Sequence, residues 1–250
     1  MFNCKALGFG FGFGLLLASL KTTIVHAQTA PGFPVSAGSS LGVTFGTNLV
    51  SPAGELIPRA DTANPPNITA PTWKSGGKAI LFMIDSDVAR NNTRVELLHW
   101  LVSGVTSTGN NSKLSFPGPG EAPYRQPSPP VGDTPHAYTL VLFPQPDNFS
   151  VPAQFTGILQ TRVPFNMSNF VTAARLSQPI AANYILVQNL TGTPTTTFPP
   201  PRQTNATTTA RNTSAAGFPG AAGSFVMGGG RVLWVGVGTA MIAGVAAFAL

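Results

Sequence analysis

The chain has 250 residues, 43% of them hydrophobic and only 9% charged, with a formal net charge of +6 and one cysteine, Cys4. The positive balance sits at the ends: without Lys5, Lys21 and Arg231, eleven basic residues face eight acidic ones, and no basic run or aromatic-basic stripe remains to bind nucleic acid. A single cysteine excludes a disulfide scaffold, so stability has to come from an ordinary apolar core.

In chain order, residues 1–27 read as a secretory leader. Lys5 precedes a Gly/Leu/Phe-rich apolar stretch from Ala6 to Leu20, and Val25-His26-Ala27 supplies a small-x-small cleavage site before Gln28. Residues 28–190 are expected to form one globular domain, mostly β. Leu41 to Phe45 alternates as a half-buried strand does. Lys78 to Ile84, Leu97 to Val105 and Ala137 to Phe143 are continuous apolar runs, the pattern of strands buried on both faces. Turn-rich stretches separate them, at Asn91-Asn92-Thr93 and over the Gly/Pro-crowded Phe116 to Pro135. One helix is predicted from about Ser168 to Leu176, capped by Ser168 or Asn166, with Phe170, Val171 and Ala174 on one face.

Thr191 to Ser214 is dense in Thr, Pro and Asn and is predicted to be an extended, glycosylated stalk, with the stalk region as a whole running over residues 191–222. Residues 223–250 fit a glycolipid-anchor signal. A small, polar spacer from Gly223 to Arg231 follows Gly220-Ala221-Ala222 and precedes an uncharged apolar tail from Val232 to Leu250. Gly220 is the expected attachment residue, with Ser214 and Ala222 as rivals; a terminal transmembrane helix is the competing reading, but no Lys or Arg flanks the tail after Leu250. N-glycosylation sequons begin at Asn67, Asn91, Asn110, Asn148, Asn166, Asn189, Asn205 and Asn212, as befits a protein displayed outside the cell.

The chemistry concentrates in one constellation. Asp85 and Asp87 end the first buried run, where i and i+2 share a face; His99 lies in the second, with Trp100 turned the opposite way; His136 opens the third and shares its face with Tyr138. Pro129-Pro130 stiffens the loop before it. A D-x-D after a strand is by itself a common turn or cap, and a lone His in an apolar strand is commonly a satisfied core residue. Together they form a polar pocket if the strands are neighbours.

Asp85-x-Asp87, His99-Trp100-Leu101-Val102, Tyr124-x-x-x-Ser128-Pro129-Pro130-x-Gly132 and His136-x-Tyr138, with the later Ala181-Ala182-Asn183-Tyr184, resemble the phosphatidylethanolamine-binding proteins over roughly residues 35–190. The resemblance implies an antiparallel β-sandwich with one or two short helices. It also implies a small pocket for an anionic or phosphorylated ligand, such as a phospholipid head group, with Asp85, Asp87, His99, Ser128, Pro129, Pro130, His136 and Tyr138 as ligand-binding residues. Ser86 and Ala89 stand where that family usually has prolines, and Ser128 where it commonly has glycine, so a pocket of altered shape is expected. In the expected arrangement Asp85 accepts from one imidazole, and His99 or His136 offers its other N–H to the anion, with binding tightening as pH falls through roughly 6.5.

No catalytic residue, cofactor or metal is expected, because there is no H-E-x-x-H, no G-x-S-x-G and no closely spaced ligand pair. Two alternatives remain open: a hydrolase or metal site built from the two His and an Asp, and a surface interaction protein or carboxypeptidase-type inhibitor with a vestigial pocket. The expected partners are an anionic small ligand, a membrane reached through the glycolipid anchor, and a protease in the inhibitor reading.

Overall fold

A computed structural model describes residues 28–73, 77–108 and 112–202. The leader, the glycolipid signal with Gly220, and the sequons at Asn110, Asn205 and Asn212 lie outside the described residues.

The three apolar runs form the three longest strands. They are β5 (Ala79–Arg90), β6 (Thr93–Thr108) and β8 (His136–Pro144), each extending beyond its run of apolar residues. β5 lies between β6 and β8, antiparallel to both, and a core covers each of its two faces, which is why its sequence does not alternate. β9 (Ala181–Val187) adds to β8, and the two-residue β3 (Glu55–Leu56) joins β9 in parallel, the one parallel pairing between the named strands. The far end of β6 turns into a second layer made by β7 (Lys113–Ser115), β4 (Asn67–Thr69), β1 (Gly42–Phe45) and β2 (Asn48–Leu49). The result is a curled, nine-stranded mixed sheet.

Side chains of opposite parity on the central strands feed two cores. Leu81, Met83, Leu140 and Leu142 pack with Val43, Ile68 and Leu114 of the second layer. Ile80, Phe82, Val141 and Phe143 pack on the other face, under Phe155, Phe165, Met167 and Phe170. Phe82 meets Phe143 and Phe170 edge-on at 5.8 and 5.1 Å. The last two of the covering residues belong to helix α2 (Met167–Ala173), which starts just before the predicted helix and ends earlier. Asn166 is its cap, accepting from the Asn169 amide at 2.9 Å. A one-turn helix, α1 (Ile158–Thr161), precedes it; the resemblance allowed for a second short helix, but no residue pattern placed it. Among the described residues no helix is long and apolar enough to cross a membrane.

Three irregularities interrupt the β5–β6 ladder, and the two nearest Asp85 set the site. Met83 opposes Trp100 but Ile84 opposes Leu98, so His99 is an extra residue on β6. Asp85 then opposes Leu97, and a second irregularity at Ser86-Asp87, opposite Glu96, restores the register by Val88 and Val95. An unbroken ladder would pair His99 with Ile84, which faces the helix-covered core. The bulge instead brings the His99 ring against Tyr138, at a centroid distance of 5.0 Å. Trp100 belongs to the same core as Tyr138, so the expected opposition of His99 and Trp100 does not hold.

Residues 191–202 contain no helix or strand, as a stalk would, but they lie against the domain: Arg94 donates to the Pro199 and Pro200 carbonyls, and Arg202 to that of Pro31.

Candidate functional site

The ends of β5 and β8 and the bulge in β6 enclose a cavity of about 240 Å³ lined by Asp85, His99, Ser128, Pro130, His136 and Tyr138. Asp87 and Pro129 lie outside this lining. Asp87 serves the backbone instead. Its Oδ2 accepts from the Ala137 amide at 2.8 Å, and its own amide donates to Asp85 Oδ1 at 2.8 Å, closing the bulge. Burial raises the Asp87 pKa, partly offset by that Ala137 hydrogen bond. Tyr124 lines a separate, mostly apolar cleft with Trp100 and Phe116 and donates its hydroxyl to the Thr62 carbonyl at 2.7 Å.

The two histidines have different work. His136 uses both ring nitrogens on carboxylates, Nδ1 to Asp85 Oδ2 at 2.8 Å and Nε2 to Asp133 Oδ2 at 3.0 Å. Burial opposes its charge, but the two carboxylates outweigh burial and raise its pKa, favouring the doubly protonated ring. Its second N–H is therefore not free for an anion, which removes His136 from that expected role and leaves His99.

His99 is held by the loop beside it. Its Nδ1 is 2.8 Å from the Arg125 carbonyl, so this nitrogen carries the proton, while the His99 carbonyl accepts from the Arg125 amide at 2.9 Å. The Arg162 guanidinium adds bonds to the Leu98 and His99 carbonyls, satisfying backbone that the bulge takes out of the ladder. Nε2 is left 3.9 Å from Asp85 Oδ2, beyond hydrogen-bond reach. Burial, more than the nearby Asp85 offsets, lowers the His99 pKa below its ordinary value of 6.5. Tyr138 is fully buried, and its hydroxyl lies near Asp85 and the Ser128 backbone but makes no hydrogen bond of ordinary geometry with the described residues. Burial first and Asp85 second push its pKa upward and keep the proton on.

Three functional residues escaped the sequence reading. Asp133 binds Arg94 through two 2.7 Å bonds as well as His136, and Arg94 also donates to the Asp87 carbonyl at 2.7 Å. Burial alone would raise the Asp133 pKa; hydrogen bonds from Arg94 and His136 outweigh it and bring the value down to about 2. Arg59 stands at the rim, donating to Ser128 Oγ through Nε and Nη2 at 3.3 and 3.2 Å, so the serine that replaces a common glycine fixes a cation beside the mouth. Asp133 follows Gly132 and reads as a turn residue, Arg94 sits beside a turn, and Arg59 is remote in sequence; only the Asp133 spacing from His136 offered a signal. Among the described residues no three His, Cys, Asp or Glu side chains are grouped to hold a metal ion.

Of the sequons, Asn67, Asn91, Asn148 and Asn166 are exposed and Asn189 is half-buried.

The family model for phosphatidylethanolamine-binding protein matches residues 39–195. Phomoidride biosynthesis cluster protein N of Talaromyces stipitatus is 33% identical over 192 residues, covering 70% of this chain and 96% of that protein. A 26 kDa secreted antigen of Toxocara canis is 28% identical over 154 residues, 58% of this chain and 54% of the antigen. Among solved structures, carboxypeptidase Y inhibitor complexed with its cognate proteinase is 19% identical, with a TM-score of 0.47 over 62% of this chain and 85% of the inhibitor.

Proposed function

The chain belongs to the phosphatidylethanolamine-binding protein family, and on that premise we propose that it is an exported binding protein whose cavity takes a phosphorylated or anionic head group and does not turn it over. The observation that carries this reading is the pairing of two polar groups on one cavity, His99 Nε2, which stands 3.9 Å from Asp85 and beyond hydrogen-bond reach, and the buried Tyr138 hydroxyl. Unspent buried polar atoms are costly, and a ligand that supplies their partners recovers that cost. Tyr138 donates to a head-group oxygen at any ordinary pH. His99 accepts while neutral and becomes a second donor once protonated. Arg125 on the lining and Arg59 at the rim add positive potential.

Binding without turnover is supported by the state of Ser128. Among the described residues it is the one aliphatic hydroxyl in the lining, and its oxygen accepts from Arg59 with no described histidine bonded to it to remove its proton. Export through the leader, display on a glycolipid anchor and N-glycosylation complete the proposal, supported by the sequence signals and by a relative that is a secreted antigen.

Calorimetric titration of phosphoethanolamine into the protein at pH 5 and pH 8 tests it, with His99→Ala and Tyr138→Phe as variants. Binding that is tighter at pH 5 and lost in His99→Ala is expected. No binding at millimolar phosphoethanolamine overturns the reading and turns attention to surface interaction or protease inhibition, for which a carboxypeptidase panel is the assay.

A further inference from the structure

The cavity is not open to solvent on all sides: Phe198, from the segment expected to be a stalk, is one of its lining residues. The segment around Phe198 is held at several points. Arg94, buried and already locked to Asp133, reaches past that carboxylate to the Pro199 and Pro200 carbonyls. Arg202 donates to the Pro31 carbonyl at 2.9 Å and brings Nε within 4.0 Å of Asp87 Oδ1. Upstream, Pro194 sits so close to Gly132 that a Cβ there would lie 2.5 Å from the proline ring. Ahead of the segment, Gln188, the residue after β9, donates to the Asp133 carbonyl at 3.2 Å. A composition of Thr and Pro cannot form a core of its own, yet here it is fixed by the same Arg94–Asp133 pair that orients His136.

We propose that residues 194–202 are an intramolecular ligand of the cavity, a strap whose Phe198 occupies the mouth and must be displaced before a head group enters. The proposal rests on the anion-binding reading above and adds its regulation. Proline residues suit the strap because their restricted backbone lowers the entropy lost on docking. The phenyl ring covers the apolar part of the lining while leaving His99 Nε2 and the Tyr138 hydroxyl without partners, which is what a competitor that excludes water but makes no polar bond would do. A head group supplies those bonds and gains over the strap by that difference.

The strap also joins the domain to residues 203–250. Any event that draws this downstream chain away, such as tension or occupation of a neighbouring surface, acts on the same equilibrium as ligand binding, and linkage makes the effect reciprocal.

The test compares the full chain with Phe198→Ala and, separately, Arg202→Ala. Phosphoethanolamine affinity is measured by calorimetry, and strap release by hydrogen–deuterium exchange of the non-proline amides in residues 195–202. Both variants are expected to exchange faster over the strap without change in β5 or β8, and to bind phosphoethanolamine at least threefold more tightly. Saturating phosphoethanolamine should speed strap exchange in the unmodified chain. Variants that free the strap yet bind with unchanged or weaker affinity overturn the proposal, as does a strap that exchanges at the unprotected rate before any substitution. Equal, measurable binding in all forms sinks the strap alone. Binding absent from every form refutes the anion reading and the strap's competitive role with it.

Discussion

Replacing Asp133 by Asn removes one negative charge from a position that two cationic side chains depend on. The carboxylate is buried and accepts two 2.7 Å bonds from Arg94 and one 3.0 Å bond from His136. Its amide substitute presents one acceptor and one donor, so Arg94 loses half of its bidentate contact and stays buried as an uncompensated cation. Breaking a buried pair from one side costs ~3–5 kcal/mol. The charge-dependent share follows from linkage. A pKa of about 2 in the folded protein against an ordinary 3.8 corresponds to about 2.5 kcal/mol, at ~1.4 kcal/mol per unit. Because the folded value is depressed, this stabilisation is fully present above the unfolded pKa and fades as pH falls toward 2; about half remains at pH 3. Urea unfolding followed by tryptophan fluorescence should therefore show a gap of ~3–5 kcal/mol between wild type and Asp133→Asn at pH 7, narrower by about 1 kcal/mol at pH 3. Adding Arg94→Met to Asp133→Asn removes the stranded cation and should recover part of the loss. A gap below about 1 kcal/mol at pH 7, in the range of an exposed pair, or one unchanged between pH 7 and pH 3, would refute the bridging role.

The two histidines should titrate in opposite directions from 6.5, His99 below it and His136 above it, in an NMR pH series; the reverse order would discard the assignment of His99 as the group that gates anion binding. The same shifts fix a stability trend: the contribution of charged His136 is fully present below 6.5 and is lost as pH rises through its raised folded value. Phe82→Ala empties the space between Phe143 and Phe170 and should cost ~3–5 kcal/mol. Scanning calorimetry should show a melting temperature lower by roughly 10 °C, and a drop under about 3 °C would mean that α2 is not a working part of the core.

The three central strands were legible because burial on both faces writes itself as uninterrupted runs such as Ile80 to Ile84. Helix α2 was legible from its cap and its apolar face. The membership of Asp85, His99, His136 and Tyr138 in one pocket was legible from their positions on those runs. What the runs do not carry is register. A bulge is one residue with no partner, and nothing in Leu98-His99-Trp100 marks which residue that is. The bulge's support comes from Arg125 and Arg162, one on a loop and one beside a short helix, both distant in sequence. Asp133 and Arg94 were hidden for the same reason: each looks like a turn or surface residue until the fold places them together. The contacts of Pro199, Pro200 and Arg202 with the domain were not legible because Thr/Pro composition reports the absence of a self-made core and says nothing of a surface provided by the rest of the chain.

The extra residue at His99 makes the pocket digital in an evolutionary sense. Losing Leu98, or gaining one residue between Met83 and Ile84 on β5, would re-pair the ladder and turn the His99 imidazole from the cavity to the helix-covered core. Intermediate geometries are not available, since strand alternation admits only two faces. Descendants of such a change would keep the family's residue types, its strands and most of its packing, and still have no imidazole in the cavity. Among relatives, the spacing around this histidine is therefore a better marker of an imidazole in the cavity than the presence of the histidine itself, and a single-codon insertion or deletion is enough to remove it from the cavity or return it there.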